Sequence, residues 1–166
     1  MPRRSTNECH NLYVSARFTV SQLQREDAFI ADYRDLRIQL WPDCKEDCDR
    51  EISEILADPV RWAVFVVSLD GQKAIGFLEV KLRDYAEGAS SSPVAYIEGW
   101  FIAGEHRRQG LGRALVEAAE KWAADRDCKE IASDTQINNR VSIAAHRQLG
   151  YKEVERIVCF LRHLKH

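Results

Sequence analysis

The sequence predicts an α/β domain with a mixed sheet, and three observations carry that reading. Apolar runs of strand length alternate with segments whose apolar residues recur at helical spacing. Asp70-Gly71 lies between two such runs, as in a tight hairpin. A β-favouring run from Tyr96 to Ile102 feeds a basic, glycine-punctuated loop and then a long amphipathic segment. The order reads β-α-α-β-β-β-α-β-α-β-β. A chain of 166 residues suggests one domain, and its 45% hydrophobic content is enough for a real core.

In chain order, residues 1–16 show no period and are expected to form a flexible N-terminal extension before a domain spanning 17–166. Arg17 to Val20 reads as a short strand. Ser21 is expected to start a helix, with Gln24 completing a capping box. Phe29, Tyr33, Leu36 and Leu40 form its inward stripe, and Pro42 closes it. The acidic stretch from Asp43 to Leu56 reads as a second helix, with Ile52, Ile55 and Leu56 inward. Trp62 to Val67 is a near-continuous apolar strand, the pattern of a sheet covered on both faces. It pairs through Asp70-Gly71 with Ala74 to Val80. The small, polar stretch Ala86 to Pro93 is a loop. After the Tyr96–Ile102 strand, a helix runs from about Gln109 to Asp125 with Leu111, Leu115, Ala118 and Trp122 inward. Glu130 to Asp134 is a short strand. Asn139 caps a helix that turns Val141, Ala145 and Leu149 inward and ends at Gly150. Tyr151–Glu155 and Arg156–Leu164 supply two last strands.

Composition excludes several classes. A net charge of −2 does not favour a general nucleic-acid binder. No apolar run approaches the ~18 residues of a membrane span. The basic start, Met1-Pro2-Arg3-Arg4-Ser5, lacks the apolar segment of a secretory signal. A cytoplasmic protein is expected. Five cysteines, an odd number without paired spacing, argue against a disulfide framework. Cys44 and Cys48 stand four apart, but no histidine falls beside them at ligand spacing, so two reduced thiols are expected and no metal. The acids clustered from Asp43 to Glu54 mark a solvated face or a lip that attracts cations.

The loop Arg107-Arg108-Gln109-Gly110-Leu111-Gly112 carries the first chemical signal. Backbone N–H groups at a helix N-terminus, flanked by arginines and free of side chains at two glycines, suit a phosphate-bearing ligand. No Gly-Lys-Ser/Thr follows, and only two of the three dinucleotide-fingerprint glycines are present. An ordinary strand-to-helix turn with solvated arginines fits the spacing equally well.

Arg107, Gly110 and Gly112 fill the Arg/Gln-x-x-Gly-x-Gly/Ala pattern that follows the fourth strand of the GNAT superfamily of acyl-CoA-dependent N-acyltransferases, which the chain resembles. A second marker, an asparagine opening the next helix and a Gly-aromatic pair ending it, is met by Asn139 and Gly150-Tyr151. Over about residues 34–162 the chain looks more narrowly like chromosomal, dimeric bacterial aminoglycoside 6′-N-acetyltransferases. The matching pieces are Arg37 to Pro42, Asp84-Tyr85, Ser92-Pro93-Val94, Glu98-Gly99, Ala132 to Thr135 and Glu155 to Val158. Tyr85-Ala86-Glu87-Gly88 departs from that family's Tyr-Val-Asn-Gly, and the first fifteen or so residues have no counterpart there.

The resemblance implies a central, mostly antiparallel mixed sheet flanked by helices, with a V-shaped split between its fourth and fifth strands. It implies acetyl-CoA as co-substrate and no metal. Backbone amides of Arg108, Gln109, Gly110, Leu111 and Gly112, together with Arg107 and Asn139, would bind the cofactor. Trp100, Phe101 and Ile102 would pair their backbone with its pantetheine arm. One of their N–H groups would polarise the thioester oxygen, a donor typically worth about 3 kcal/mol. Asp134 and Glu98 match carboxylates that bind the acceptor amine and take its proton. A Glu between Ile97 and Gly99 in an apolar run also needs a partner on physical grounds. His146 falls where many relatives carry a proton-donating tyrosine; it would protonate the leaving thiolate, hydrogen-bond the sulfur, or simply pack. Trp41 and Tyr85 match aromatics that flank the sugar rings. Glu155 matches a carboxylate placed in the partner subunit's acceptor pocket, in a homodimer joined through the C-terminal strand. The expected activity is acetyl transfer to the 6′-amine of aminoglycosides, conferring antibiotic resistance. A GNAT enzyme for a polyamine, another small amine or a protein lysine is the nearest alternative, and a non-catalytic acyl-CoA-binding module is a further one.

Overall fold

The computed structural model describes residues 14, 15 and 17–164. Six strands form one sheet in sequence order: β1 (Val14–Ser15), β2 (Phe18–Gln22), β3 (Trp62–Leu69), β4 (Lys73–Arg83), β5 (Val94–Ile102) and β6 (Ile131–Ser133). All neighbours are antiparallel except β5 and β6, which run parallel. Among the described residues four α-helices flank the sheet: α1 (Ile30–Leu40), α2 (Cys48–Ala57), α3 (Leu111–Ala124) and α4 (Arg140–Gln148). Val14–Ser15 thus contribute a short strand from within the stretch read as an extension; residues 1–13 and 16 lie outside the described residues.

Strand β3 explains the layering. Ala63, Phe65 and Val67 pack with Leu111, Leu115, Ala118 and Trp122 of α3, whereas Val64 and Val66 pack with Tyr33 and Leu36 of α1 and Ile52 and Ile55 of α2. Alternate residues therefore serve two cores, and the continuous apolar run follows from that. The β3–β4 hairpin turns on Asp70 and Gly71, both with left-handed backbone (φ 51° and 66°), the requirement of a type I′ turn.

The split is visible in the register. β5 has nine residues, but β6 pairs with only Ala95, Tyr96 and Ile97. From Glu98 onward the outer edge of β5 has no strand beside it among the described residues.

Four expectations are corrected. The helix does not start at Ser21: Ser21 and Gln22 continue β2, and α1 starts at Ile30. Asp27 Oδ1 accepts from the Phe29 N–H at 3.0 Å in the turn that leads into α1, and the helix itself starts without a side-chain cap. The acidic helix begins at Cys48, because Pro42–Cys44 form a separate 3₁₀ turn. Val141 is exposed rather than inward, on a short helix without a buried residue. The two C-terminal strands are absent: residues 151–164 make no ladder, and Ile157, Val158, Phe160, Leu161 and Leu164 are all exposed. A β-favouring pattern becomes a strand only where it pairs with an edge, and residues 151–164 pair with none among the described residues.

Candidate active site

One irregularity on β5 sets the site. Glu79 faces Gly99 and Val80 faces Ile97, which leaves Glu98 as an extra residue with no partner on β4. This bulge reverses the parity of the strand. Before it, Ala95 and Ile97 face the α3 core and Tyr96 the opposite face; after it, Trp100 and Ile102 face α3 and Phe101 faces α1. Glu98 and Gly99 consequently open toward α1 and α2.

There they border a cleft of about 680 Å³ walled by Trp41 and Trp62. Six carboxylates line it (Asp43, Glu51, Glu54, Asp58, Glu79 and Glu98), against two cations, Arg37 and Lys81. Such a cleft attracts polycations. Cys44 lines it as well, and burial pushes its thiol up, so it stays protonated. Trp41 is held tightly. A β-carbon at Gly99 would stand 2.3 Å from its Cη2, and the Arg37 guanidinium lies 5.1 Å from its ring centroid.

Beneath the cleft, Glu79 is buried and its Oε1 accepts from Tyr33 O–H at 2.6 Å and Arg37 Nε at 2.7 Å. Arg37 also donates to Glu51 at 2.9 Å. Burial pushes the Glu79 carboxyl up, against the pull of Arg37. This network was not anticipated from sequence; Arg37 and Tyr33 sit four apart on α1, which placed them on one face without revealing a partner on β4.

A second cluster joins the two anticipated carboxylates. Arg83 grips Glu98 with a bidentate fork, Nε to Oε1 at 2.8 Å and Nη2 to Oε2 at 2.6 Å. Its guanidinium lies 3.4 Å above the centroid of Tyr96, whose hydroxyl donates to Asp134 Oδ1 at 2.9 Å. Burial first, then the Asp134 hydrogen bond and charge, hold the Tyr96 phenol protonated, so it is the donor. The parallel register Ile97↔Ser133 brings Asp134 level with Glu98 across the split. Trp41 and Glu98 border the cleft, while Tyr85, Asp134 and Glu155 are exposed and outside its lining. Val154 packs over Gly88 in the loop after Tyr85, which brings Glu155 near that loop.

His146 is locked. Its Nδ1 lies 2.8 Å from the Ser142 carbonyl, which only accepts, so Nδ1 carries a proton. In the neutral ring, Nε2 therefore accepts from the Ser133 hydroxyl at 3.0 Å. Trp100 and Tyr151 meet the ring at 90° and 86°, with centroids 5.4 and 5.5 Å away. His146 reaches the split through Ser133, a residue sequence reasoning passed over although it stands beside Asp134.

At the other end of β5, the loop matches the anion reading in its backbone. Arg108 and Gly110 both adopt left-handed φ (60° and 81°), and α3 starts without a side-chain cap. The first-turn N–H groups of α3 are therefore available to a ligand. Arg107 turns back, its Nε donating to the Ile102 carbonyl at 2.9 Å and its guanidinium stacking on Phe101. Gln109 reaches the Glu105 carbonyl at 3.4 Å. The glycines differ in purpose. Gly110 supplies the left-handed turn, but a β-carbon on Gly112 would stand 2.8 Å from the Trp100 indole, whose buried Nε1 has no hydrogen-bond partner among the described residues. Asn139 caps α4 through Ser142 N–H at 3.1 Å. An uncapped, arginine-flanked helix start beside an open strand edge fits the phosphates and amide-bearing arm of a CoA thioester.

This arrangement is that of an acetyltransferase, and the model of the Acetyltransferase (GNAT) family matches residues 25–151. The chain belongs to that family and, within it, to the aminoglycoside N(6′)-acetyltransferases. It is 44% identical over 138 residues to a type 1 enzyme of Klebsiella aerogenes, covering 81% of this chain and 90% of the relative. Identity is 40% to one of Stenotrophomonas maltophilia, covering 86% and 91%. Among solved structures, aminoglycoside N-acetyltransferase AAC(6′)-Iy in complex with CoA superposes with a TM-score of 0.84 at 31% identity, covering 92% of this chain and all of that one. The same enzyme with a bisubstrate analogue, CoA-S-monomethyl-acetylneamine, gives a TM-score of 0.82 at 32% identity, covering 89% and 99%.

Proposed function

We propose that the protein transfers the acetyl group of acetyl-CoA to the 6′-amine of aminoglycosides and so confers resistance to them. The observation that carries this reading is the double use of β5. Its open edge leads to a phosphate-binding helix start, and its bulged residue Glu98 borders an acidic, tryptophan-walled cleft suited to a polycation.

When bound, acetyl-CoA supplies an activated acetyl thioester. Amides from Arg108 to Gly112 hold its pyrophosphate, and the backbone of Trp100, Phe101 and Ile102 holds its pantetheine arm. Asp134 and Glu98, level across the split, receive the proton that the acceptor ammonium must shed before its nitrogen attacks. Ser133 stands between His146 and the split; with both ring nitrogens protonated, His146 would pass its Nε2 proton to the Ser133 oxygen as that hydroxyl gives its own proton to the departing thiolate. Trp41 and Tyr85 flank the acceptor's rings.

The protein acts as a homodimer in this reading. Phe160 and Leu161 are 92% and 86% exposed on a segment that pairs with no strand among the described residues, a surface that a second chain would cover. Glu155 would then serve the partner's acceptor pocket. Among the described residues no helix is long and apolar enough to cross a membrane, and we place the enzyme in the cytoplasm. A panel of kanamycin, tobramycin and spermidine, with mass detection of the modified amine, tests the proposal. Acetylation at the aminoglycoside 6′-nitrogen is expected. CoA release with spermidine alone, or modification at another amine, would overturn it.

A further inference from the structure

Glu79, Lys81 and Arg83 alternate along the end of β4, the first two lining the cleft, and each already holds a counterpart. Glu79 holds Arg37, Lys81 lies 4.7 Å from the Trp62 ring centroid, and Arg83 holds Glu98. Arg83 differs from the other two in its position. It forks onto one of the two carboxylates assigned to the acceptor amine, over the ring whose hydroxyl donates to the other.

We infer that Arg83 is an internal stand-in for the acceptor ammonium: in the free enzyme its guanidinium neutralises Glu98 above the Tyr96 ring, and the acceptor's amine competes with it for that carboxylate. The inference rests on the reading that Glu98 faces the amine. Three features favour a displaceable cation over a permanent brace. The Arg83 side chain is 36% exposed, so its long stem has room to withdraw into solvent, whereas Arg37 at 6% does not. Both Glu98 oxygens are engaged by the fork, so a new ammonium meets a carboxylate already neutralised. The aromatic face beneath the guanidinium favours any cation set there, the acceptor's included.

Arg83 thereby becomes a specificity-determining residue. A monoamine must displace it with one charge. A polyamine sugar gains additional attraction from Asp43, Glu54 and Asp58 elsewhere in the cleft, so the resident arginine penalises weakly charged amines most.

The test compares wild type with Arg83→Met and Arg83→Lys, using tobramycin and a small monoamine as acceptors. Calorimetric Kd values are measured alongside steady-state rates. Arg83→Met should lower the tobramycin KM and Kd about tenfold, the scale of one charge-assisted, partly exposed pair. It should lower the monoamine KM by more, with kcat within about threefold and the acetyl-CoA KM unchanged. Arg83→Lys, which keeps the charge but loses the fork and the stacking, should fall between wild type and Arg83→Met. A kcat that falls with KM unchanged, or a KM that rises, would make Arg83 a brace and overturn the inference. If Arg83→Met does not fold, Arg83→Gln carries the same expectation. Wild-type enzyme that neither binds nor acetylates tobramycin refutes the acceptor reading itself, and the inference with it. The binding arm tests Arg83 without relying on turnover.

Discussion

Gly99→Ala is the sharpest probe of how the acceptor cleft is built. Gly99 does not adopt a left-handed backbone, so alanine carries no conformational penalty there, and the whole effect comes from packing. The new β-carbon would lie 2.3 Å from Trp41 Cη2 and 2.9 Å from Cζ2, well inside contact distance. Trp41 cannot simply slide, because Arg37 stacks on it and Phe77 stands 6.0 Å from it between rings. Overpacking of this kind costs about 2 kcal/mol, which corresponds to roughly 4–8 °C in Tm for a domain of this size. The displaced indole should raise the aminoglycoside KM while the acetyl-CoA KM stays put. Thermal melts and two-substrate kinetics read both effects. The decisive comparison is the double variant. In a Trp41→Ala background, Gly99→Ala should add less than about 0.5 kcal/mol, since the colliding atoms are gone. An equal loss in both backgrounds would show that the glycine serves something other than Trp41.

Three further outcomes follow from the site. Gly112→Ala drives a β-carbon into the Trp100 indole, so it should destabilise by about 1–2 kcal/mol and raise the acetyl-CoA KM; an unchanged KM would separate this glycine from the cofactor loop. Ser133→Ala should lower kcat by as much as His146→Ala, on the order of a hundredfold, with the double variant no worse than either, and additive losses would refute a shared proton path. Glu130 accepts from the backbone N–H and hydroxyl groups of Ser90 and Ser91, and the Ser91 hydroxyl first, then the backbone bonds, hold its carboxyl below the usual range. A depressed pKa contributes stability that is present above the unfolded value and lost as pH falls through the folded one. The Tm advantage of wild type over Glu130→Gln should therefore be full near neutral pH and shrink below about pH 4; an advantage that grows on acidification would contradict the assignment.

The core was legible because its signals are local and periodic. Leu111, Leu115, Ala118 and Trp122 repeat at helical spacing, and all four are buried on α3. Asp70-Gly71 announced its hairpin because both left-handed positions fall on residues that tolerate them. The N-terminus of α1 misled for an equally local reason. Ser21 and Gln24 imitate a capping box, but Val20 and Leu23 are both buried, and pairing with β3 prevailed over the cap. The C-terminal segment shows the opposite limit. Its apolar run from Ile157 to Leu161 is genuine strand pattern, yet a strand exists only where it pairs, and among the described residues this segment pairs with none.

The missed site residues share one cause. Arg83, Tyr96 and Ser133 act through neighbours 13 to 38 positions away, in contacts fixed by register rather than by any nearby motif. The resemblance delivered Glu98 and Asp134 as a pair but gave no reason why they should meet. The register supplies it. A three-residue parallel pairing sets Asp134 level with Glu98, and the bulge turns Glu98 toward the cleft while returning Trp100 and Ile102 to the α3 side. The sequence carried a trace of this in Ile97-Glu98-Gly99-Trp100, where two α3-facing residues stand three apart and strict alternation fails. With an even count there, Trp100 would leave Gly112 and His146, and the phosphate loop and acceptor cleft would no longer share one strand. In the proposed reading a single extra residue thus links the two substrates, and that linkage, rather than the arginines of the loop, would make the segment around Glu98 the centre of the site.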